Sequence, residues 1–249
     1  MKCQAIALVL LVAACGGGDD DAPVTEWDAL DGPPAHVVGH AFIFGPNPMG
    51  LTIEGAVVAV AEDPSVSTTV NADGSFELDV PSGGASSFSL TKTGFMPSQS
   101  AAIEIGVDGI ARLGFQTPSF DAVEQLATFA RVTVDPTKCQ VTTTISAKGT
   151  EPYGGDSLGV DGAVATITPM ADADGPIYFA STGGATPTIF PDRSLTAASV
   201  DGGVIFANVS PGEYRITATA AGHTFSTAEI RCRAGVLVNA APPNGIQEL

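Results

Sequence analysis

Positive charge is scarce in this chain: 10 Lys and Arg stand against 27 Asp and Glu, a formal net charge of −17. Such a surface repels phosphate backbones and anionic lipid headgroups, which excludes nucleic acid as a partner. Aromatics make up only 6% of residues, with a single tryptophan, and there are three histidines. No Ser/His/Asp grouping or Gly-rich phosphate loop occurs, and the scattered serines have no base partner, so the sequence calls for no catalytic group and no cofactor. The apolar run Ala5 to Ala14 is ten residues long. It is too short for a membrane-spanning helix, which needs ~20 residues.

What the chain does have is glycine (29) and proline (18), with hydrophobic residues at 44%. That mixture suits packed cores built from many short strands joined by turns. One pattern organises it. The hairpin Asn71-Ala72-Asp73-Gly74-Ser75-Phe76 leads to Val80-Pro81 and closes on Gly94-Phe95; it returns as Val200-Asp201-Gly202-Gly203-Val204-Ile205-Phe206, then Pro211-Gly212-Glu213-Tyr214, then Gly222-His223. The interval from Asp73 to Gly94 and from Asp201 to Gly222 is 21 residues in both, and Gly-Ala-Val precedes each copy at 55–57 and 162–164. A tight-turn glycine followed by an alternating strand is a hairpin signal, and its recurrence at one spacing predicts two related β-domains. The fold expected is all-β: two tandem Greek-key β-sandwich domains over 35–117 and 135–249, joined by a helical connector over 118–134. In the connector, Ser119 is placed to cap a helix whose Val123, Leu126, Ala127 and Ala130 share one face, with Asp121, Glu124 and Gln125 on the wet side. Tertiary packing is required for so short a helix, which places it between the domains.

The N-terminus carries the first resemblance. Lys2, the apolar run and Leu11-Val12-Ala13-Ala14-Cys15 resemble the lipobox of bacterial lipoproteins, with Val12 where leucine is usual. The resemblance implies a signal peptide over 1–14, cleavage before Cys15 and lipid on its sulfur, giving membrane as a partner through the anchor. Cleavage removes Lys2 and no acid, moving the charge from −17 to −18. Gly16-Gly17-Gly18 and Asp19-Asp20-Asp21 begin a flexible acidic linker over 15–34, which an ordinary signal peptide with an incidental cysteine does not explain. Gly16, where an inner-membrane retention signal has Asp, points to the outer membrane of a bacterial cell envelope. Trp27, within the linker, is either a docking aromatic or packs on the first domain.

With Cys3 in the leader and Cys15 taking lipid, Cys139 and Cys232 remain as an even pair in an oxidising compartment, and a disulfide between them is expected. The alternative, a reactive thiol pair, lacks Cys-x-x-Cys spacing. Domain two also stretches the interval between its Gly-Ala-Val step and its hairpin to 39 residues, against 18 in domain one. The extra length, an insertion over 168–194, holds Tyr178, Phe179 and Phe190, the candidate binding surface; the plainer reading is that they cover one sheet face.

Metal sites are poorly supported. His36 and His40, four apart on a strand, lie ~13 Å from each other at 3.3 Å per residue, so one ion cannot bridge them. Asp172-Ala173-Asp174-Gly175 could place oxygens about Ca²⁺ but lacks a closing glutamate, and turn chemistry explains it equally.

A second resemblance rests on Gly55-Ala56-Val57-Val58, Thr68-Thr69, Asp73-Gly74-Ser75-Phe76, Val80-Pro81 and Lys92-Thr93-Gly94-Phe95, and in the second copy on Asp201-Gly202, Phe206, Val209-Ser210-Pro211-Gly212, Tyr214 and Ala221-Gly222-His223. These resemble the carboxypeptidase regulatory-like domain, of the transthyretin (prealbumin-like) sandwich class. The resemblance implies add-on modules without catalytic residues, hence a non-enzymatic, lipid-anchored structural or interaction protein whose partner is an unidentified envelope protein or glycan. Two alternatives stand beside it. A carbohydrate-binding accessory of starch-binding-like fold would expose Tyr178 and Phe179 side by side. A metal-dependent enzyme of intradiol-dioxygenase-like fold would bring His223 to tyrosines or carboxylates.

Overall fold

Alternation of buried and exposed residues along β1 (Pro34–Ile43) fixes the first strand, with Ala35, Val37, Gly39 and Ala41 turned inward. Gly39 is required there: a Cβ would lie 2.3 Å from both the Leu113 carbonyl oxygen and the Phe76 ring. The computed structural model describes residues 30–44, 51–150, 159–181 and 189–249. The leader, Cys15 and Trp27 lie outside the described residues. Eight more strands complete the first half: β2 (Val57–Val60), β3 (Ser67–Thr69), β4 (Ser75–Pro81), β5 (Gly84–Ser86), β6 (Phe88–Thr91), β7 (Ser98–Gln99), β8 (Ile103–Ile105) and β9 (Ile110–Thr117). After helix α1 (Phe120–Ala130) come β10 (Cys139–Thr144), β11 (Val164–Thr168), β12 (Asp174–Ser181), β13 (Ile189–Asp192), β14 (Gly203–Val209), β15 (Gly212–Thr219), β16 (Ala228–Cys232) and β17 (Leu237–Ala240).

The sequence repeat is a repeat of topology. In the first half β1 pairs antiparallel with β4 and parallel with β9; in the second, β10 pairs antiparallel with β14 and parallel with β17. Facing them, β2-β6-β7 and β11-β15-β16 are antiparallel throughout. Gly74 and Gly202 both take positive φ, 87° and 76°, which only glycine adopts at low cost, and their carbonyls accept from Ala41 and Ile145 amides at the same distance of 2.8 Å. Each sandwich has its own core, and Ala101 of the first half joins the second. Phe76, Phe88, Leu90 and Phe115 centre the first core, and Val141, Ile145, Phe206, Ile216 and Ile230 the second.

The two sandwiches are not separate beads. Ser98 and Gln99 of β7 pair in parallel with Leu237 and Val238 of β17, so one nine-stranded sheet runs β13-β12-β14-β10-β17-β7-β6-β2-β3 through both halves. A two-residue strand carries no periodicity that a sequence reading could detect.

The insertion over 168–194, expected as a long loop, contains β12 and β13, which pair with each other and extend this sheet beyond β14. Proline does not prevent it, because Gly175-Pro176 falls within the bulge between Asp174 and Ile177, where no ladder hydrogen bond is required. Residues 182–188 of that insertion lie outside the described residues.

Ser119 caps α1 as expected, its hydroxyl accepting from the Ala122 amide at 3.2 Å, and Arg131 ends the helix in the left-handed conformation at φ 52°. The helix does not sink between the domains. Of its residues only Ala130 is buried, and it leans on β13, where Phe129 and Phe190 meet at 5.9 Å.

Cys139 on β10 and Cys232 on β16 form a disulfide that staples the two sheets of the second sandwich, with Cα atoms 5.6 Å apart. It closes a span of 93 residues. In the chain-entropy picture, reducing it should cost about 3–5 kcal/mol. Urea unfolding of the purified protein with and without reductant checks this, and coincident midpoints would show that the bond contributes nothing.

Candidate functional site

Among the described residues, a cluster of linked ion pairs lies where the halves meet. Glu62, just after β2, accepts from the Ser86 hydroxyl at 2.6 Å, the Ser87 amide at 2.9 Å and hydroxyl at 3.0 Å, and the Arg233 guanidinium at 2.6 Å. Arg231 approaches the same carboxylate at 3.6 Å and binds Glu213 at 2.8 Å. Gln99, only 1% exposed, donates to the Arg231 carbonyl at 3.0 Å and accepts from Arg233. Further bonds cross the boundary from Leu237 to Pro97 at 2.8 Å and from Ala102 to Glu229 at 2.7 Å. Burial pushes the Glu62 carboxyl up, but the hydrogen bonds from Ser86, Ser87 and Arg233 together outweigh it and hold the pKa below the ordinary glutamate value. Chemically this is a lock: every group in it is engaged by another group of the chain. Its sequence signal is Arg231-Cys232-Arg233, two of ten cations flanking a disulfide cysteine, though nothing local in the chain names their partners.

The candidate binding surface of Tyr178, Phe179 and Phe190 is not present as a surface. Consecutive strand residues face opposite ways. Tyr178 is 1% exposed, points into the second core and accepts from the Ala165 amide at 3.0 Å. Phe179 is 5% exposed on the opposite side, against Gly203, and Phe190 is half-buried on α1. In a chain this poor in aromatics, large rings are worth more as core than as display. Their burial counts against the carbohydrate-binding reading, which needed Tyr178 and Phe179 exposed together.

The remaining polar candidates are also paired. Asp172 binds Lys138 at 3.2 Å and Asp174 binds Arg193 at 3.3 Å, so the acids considered for Ca²⁺ already have cations. His36 lies between Asp79 at 2.9 Å and Glu77 at 3.6 Å, each on a different ring nitrogen, and the Asp79 hydrogen bond raises its pKa. Carboxylates on both sides of one ring do not converge on a common ion. His40 stacks on Phe42 at 6.1 Å. His223 does reach a carboxylate, Glu248 at 2.7 Å, but Tyr214 donates to the Ser210 carbonyl and Tyr178 is in the core. Among the described residues no three His, Cys, Asp or Glu gather as metal ligands.

The repeated turns differ in one respect. Asp73 is exposed and accepts from the Ser75 amide and hydroxyl, which lower its pKa. Asp201 has Gly203 in place of that serine, and burial pushes its carboxyl up to about 6 against the pull of the Gly203 amide.

No family model and no curated protein sequence matches this chain. Among solved structures, the Bacillus anthracis TIE protein is similar at 12% identity and a TM-score of 0.28, over 85% of this chain and 34% of that one. The chain thus spans about a third of that protein's length. The shaft pilin SpaA from Lactobacillus rhamnosus GG is similar at 10% identity and 0.26, over 84% of this chain and 98% of that one. A streptococcal ancillary pilin is similar at 11% identity and 0.27, over 86% and 69% respectively.

Two consequences are measurable. Glu62→Gln should destabilise the protein by about 2–4 kcal/mol at neutral pH, because it strands Arg233 and Arg231 at the boundary. Since Glu62's folded pKa is depressed, its contribution is present above the ordinary glutamate range and is lost as the pH falls through the depressed value, so the deficit should vanish in acid. Asp201 has the opposite sign. A raised carboxyl pKa stabilises fully below the unfolded value and loses that contribution as the pH rises through about 6. Asp201→Asn should therefore raise Tm on the order of 5 °C at pH ~7.5 and leave it unchanged near pH ~3.5. Calorimetry across that range checks both, and a pH-independent effect of either substitution would show that titration is not its source.

Proposed function

We propose that this protein is a non-enzymatic, lipid-anchored component of a bacterial cell envelope: an acyl-bearing Cys15, an acidic tether over 15–34, and two sandwiches of carboxypeptidase regulatory-like type serving as one structural and interaction platform. The observation that carries this reading is the continuous sheet across β7 and β17, locked by Glu62, Gln99, Arg231 and Arg233. Groups that could have done chemistry are used to hold one half rigidly to the other. A second support is that the central strands of the two halves share one pairing scheme, as the resemblance implies. The lipobox motif supports the anchor and its Gly16 supports the outer membrane; both lie outside the described residues.

The platform reading separates binding from catalysis in a simple way. A rigid sheet presents side chains without closing over a substrate, whereas catalysis requires convergent groups that exclude water. Presentation at a distance from the bilayer is what a flexible, acidic tether adds.

Cys15→Ala should abolish incorporation of labelled palmitate and move the protein from the membrane fraction to the soluble one. Retention of the variant in membranes would refute the anchor.

A further inference from the structure

Helix α1 is held at its C-terminal end and, among the described residues, is only half-covered along the face that carries Phe120, Val123 and Ala127. Arg193 donates to the Ala130 carbonyl at 2.5 Å, and Phe129 meets Phe190, which fixes the C-terminal end against β13. The chain then turns back in an extended stretch whose position is set by Asn208: its side chain donates to the Thr133 carbonyl at 2.9 Å and accepts from the Asp135 amide at 2.9 Å. Between these two fixed walls is an open groove of about 490 Å³. Phe120, Val123 and Ala127 line it from the helix at helical spacing, and Val132 and Val134 from the extended stretch. Phe120 is 51% exposed and Phe129 57%; among the described residues these are the exposed large aromatics, and both are on α1. A three-turn helix that buries one alanine is short of the packing such helices need.

We propose that this groove docks a cationic, amphipathic segment of another protein. Charge decides the occupant. Glu124 lines the groove and Asp121 lies in the first turn of α1, whose last turn has no basic residue. Of the cations at the far end, Arg193 is paired with Asp174 at 3.3 Å, and Arg131 lies within electrostatic reach of Asp192. The groove edge is therefore net negative on a chain of net charge −17. A second copy of the chain would set like charges together across a two-fold axis, whereas lysines or arginines flanking an apolar stripe complement both the rim and the floor. The inference rests on the interaction-platform reading but not on the anchor.

The test uses the full chain with Cys15→Ser, which cannot be lipidated, so the outcome is independent of Cys15. The probe is a fluorescent Lys/Leu amphipathic peptide of about 14 residues, with a Glu/Leu peptide as its counterpart. At ~0.15 M salt, where general surface attraction is screened within about 8 Å, the Lys/Leu peptide should bind and slow amide exchange across 120–134, and the Glu/Leu peptide should not bind. Phe120→Ser and Glu124→Lys should each weaken binding roughly tenfold or more without moving Tm, while Asp108→Lys, a remote exposed acid, should leave it unchanged. Equal loss in Asp108→Lys, protection mapped elsewhere, or indifference to Phe120→Ser would overturn the proposal. So would concentration-dependent dimerisation abolished by Phe120→Ser, which would make a second copy the occupant.

Discussion

Everything else in this molecule depends on the parallel pairing of two residues of β7 with two of β17 and on the carboxylate that guards it. A sandwich of this size has edge strands, and an exposed edge is a template for pairing with other chains. Joining the second copy's β17 to the first copy's β7 removes two of these edges at once. Hydrogen bonds across so short a pairing are too few to hold two bodies alone. The Glu62 cluster makes the joint specific, because a partly buried carboxylate tolerates removal from water only when its lone pairs are filled, here by two serines and an arginine. The chain is short of cations, yet it commits Arg231 and Arg233 to this position.

The joint makes equivalent copies do unequal work. β9 occupies the place in the first half that β17 occupies in the second, and β16 matches β7. Those counterpart edges do not extend the sheet; polar groups from the other half cap them instead. Asn239 and Asn244 donate to the Gln116 and Arg112 carbonyls of β9 at 3.2 and 3.1 Å, and the Ala102 amide donates to Glu229 of β16. A repeated fold thus becomes a single asymmetric platform, with repetition absorbed into stability and little of it left as paired binding surfaces.

What could be read from the residues was whatever the local chain dictates. Asp73-Gly74 and Asp201-Gly202 announced turns because few other residues tolerate that φ, and the cap at Ser119 announced a helix through its hydroxyl. The pairing of Cys139 with Cys232 followed from counting. Residues whose role is set by distant partners were not legible. Ser98 and Gln99 look like loop yet are 1% exposed, because their partners lie far along the chain at 237 and 238. Tyr178 and Phe179 looked like display in a proline-rich insertion, and became core because β14 was there to receive a strand. Local chemistry gives turns and caps; burial is a property of the assembled fold.

That difference also decides which apolar side chains stay exposed. The insertion is long and rich in aromatics, but apolar mass inside a closed sheet is spent on cohesion. The connector, an amphipathic helix, has the pattern of a packing element. In the fold the insertion supplies β13 as a backstop for α1, and α1 leaves Phe120 exposed near Glu124 and the half-buried Val123. The helix is tied at its start to the first half, where the Phe120 amide donates to the Gly94 carbonyl at 3.2 Å, and at its end to β13 of the second. The boundary is closed by polar groups, while Phe120 and Phe129 of the connector stay exposed at the surface.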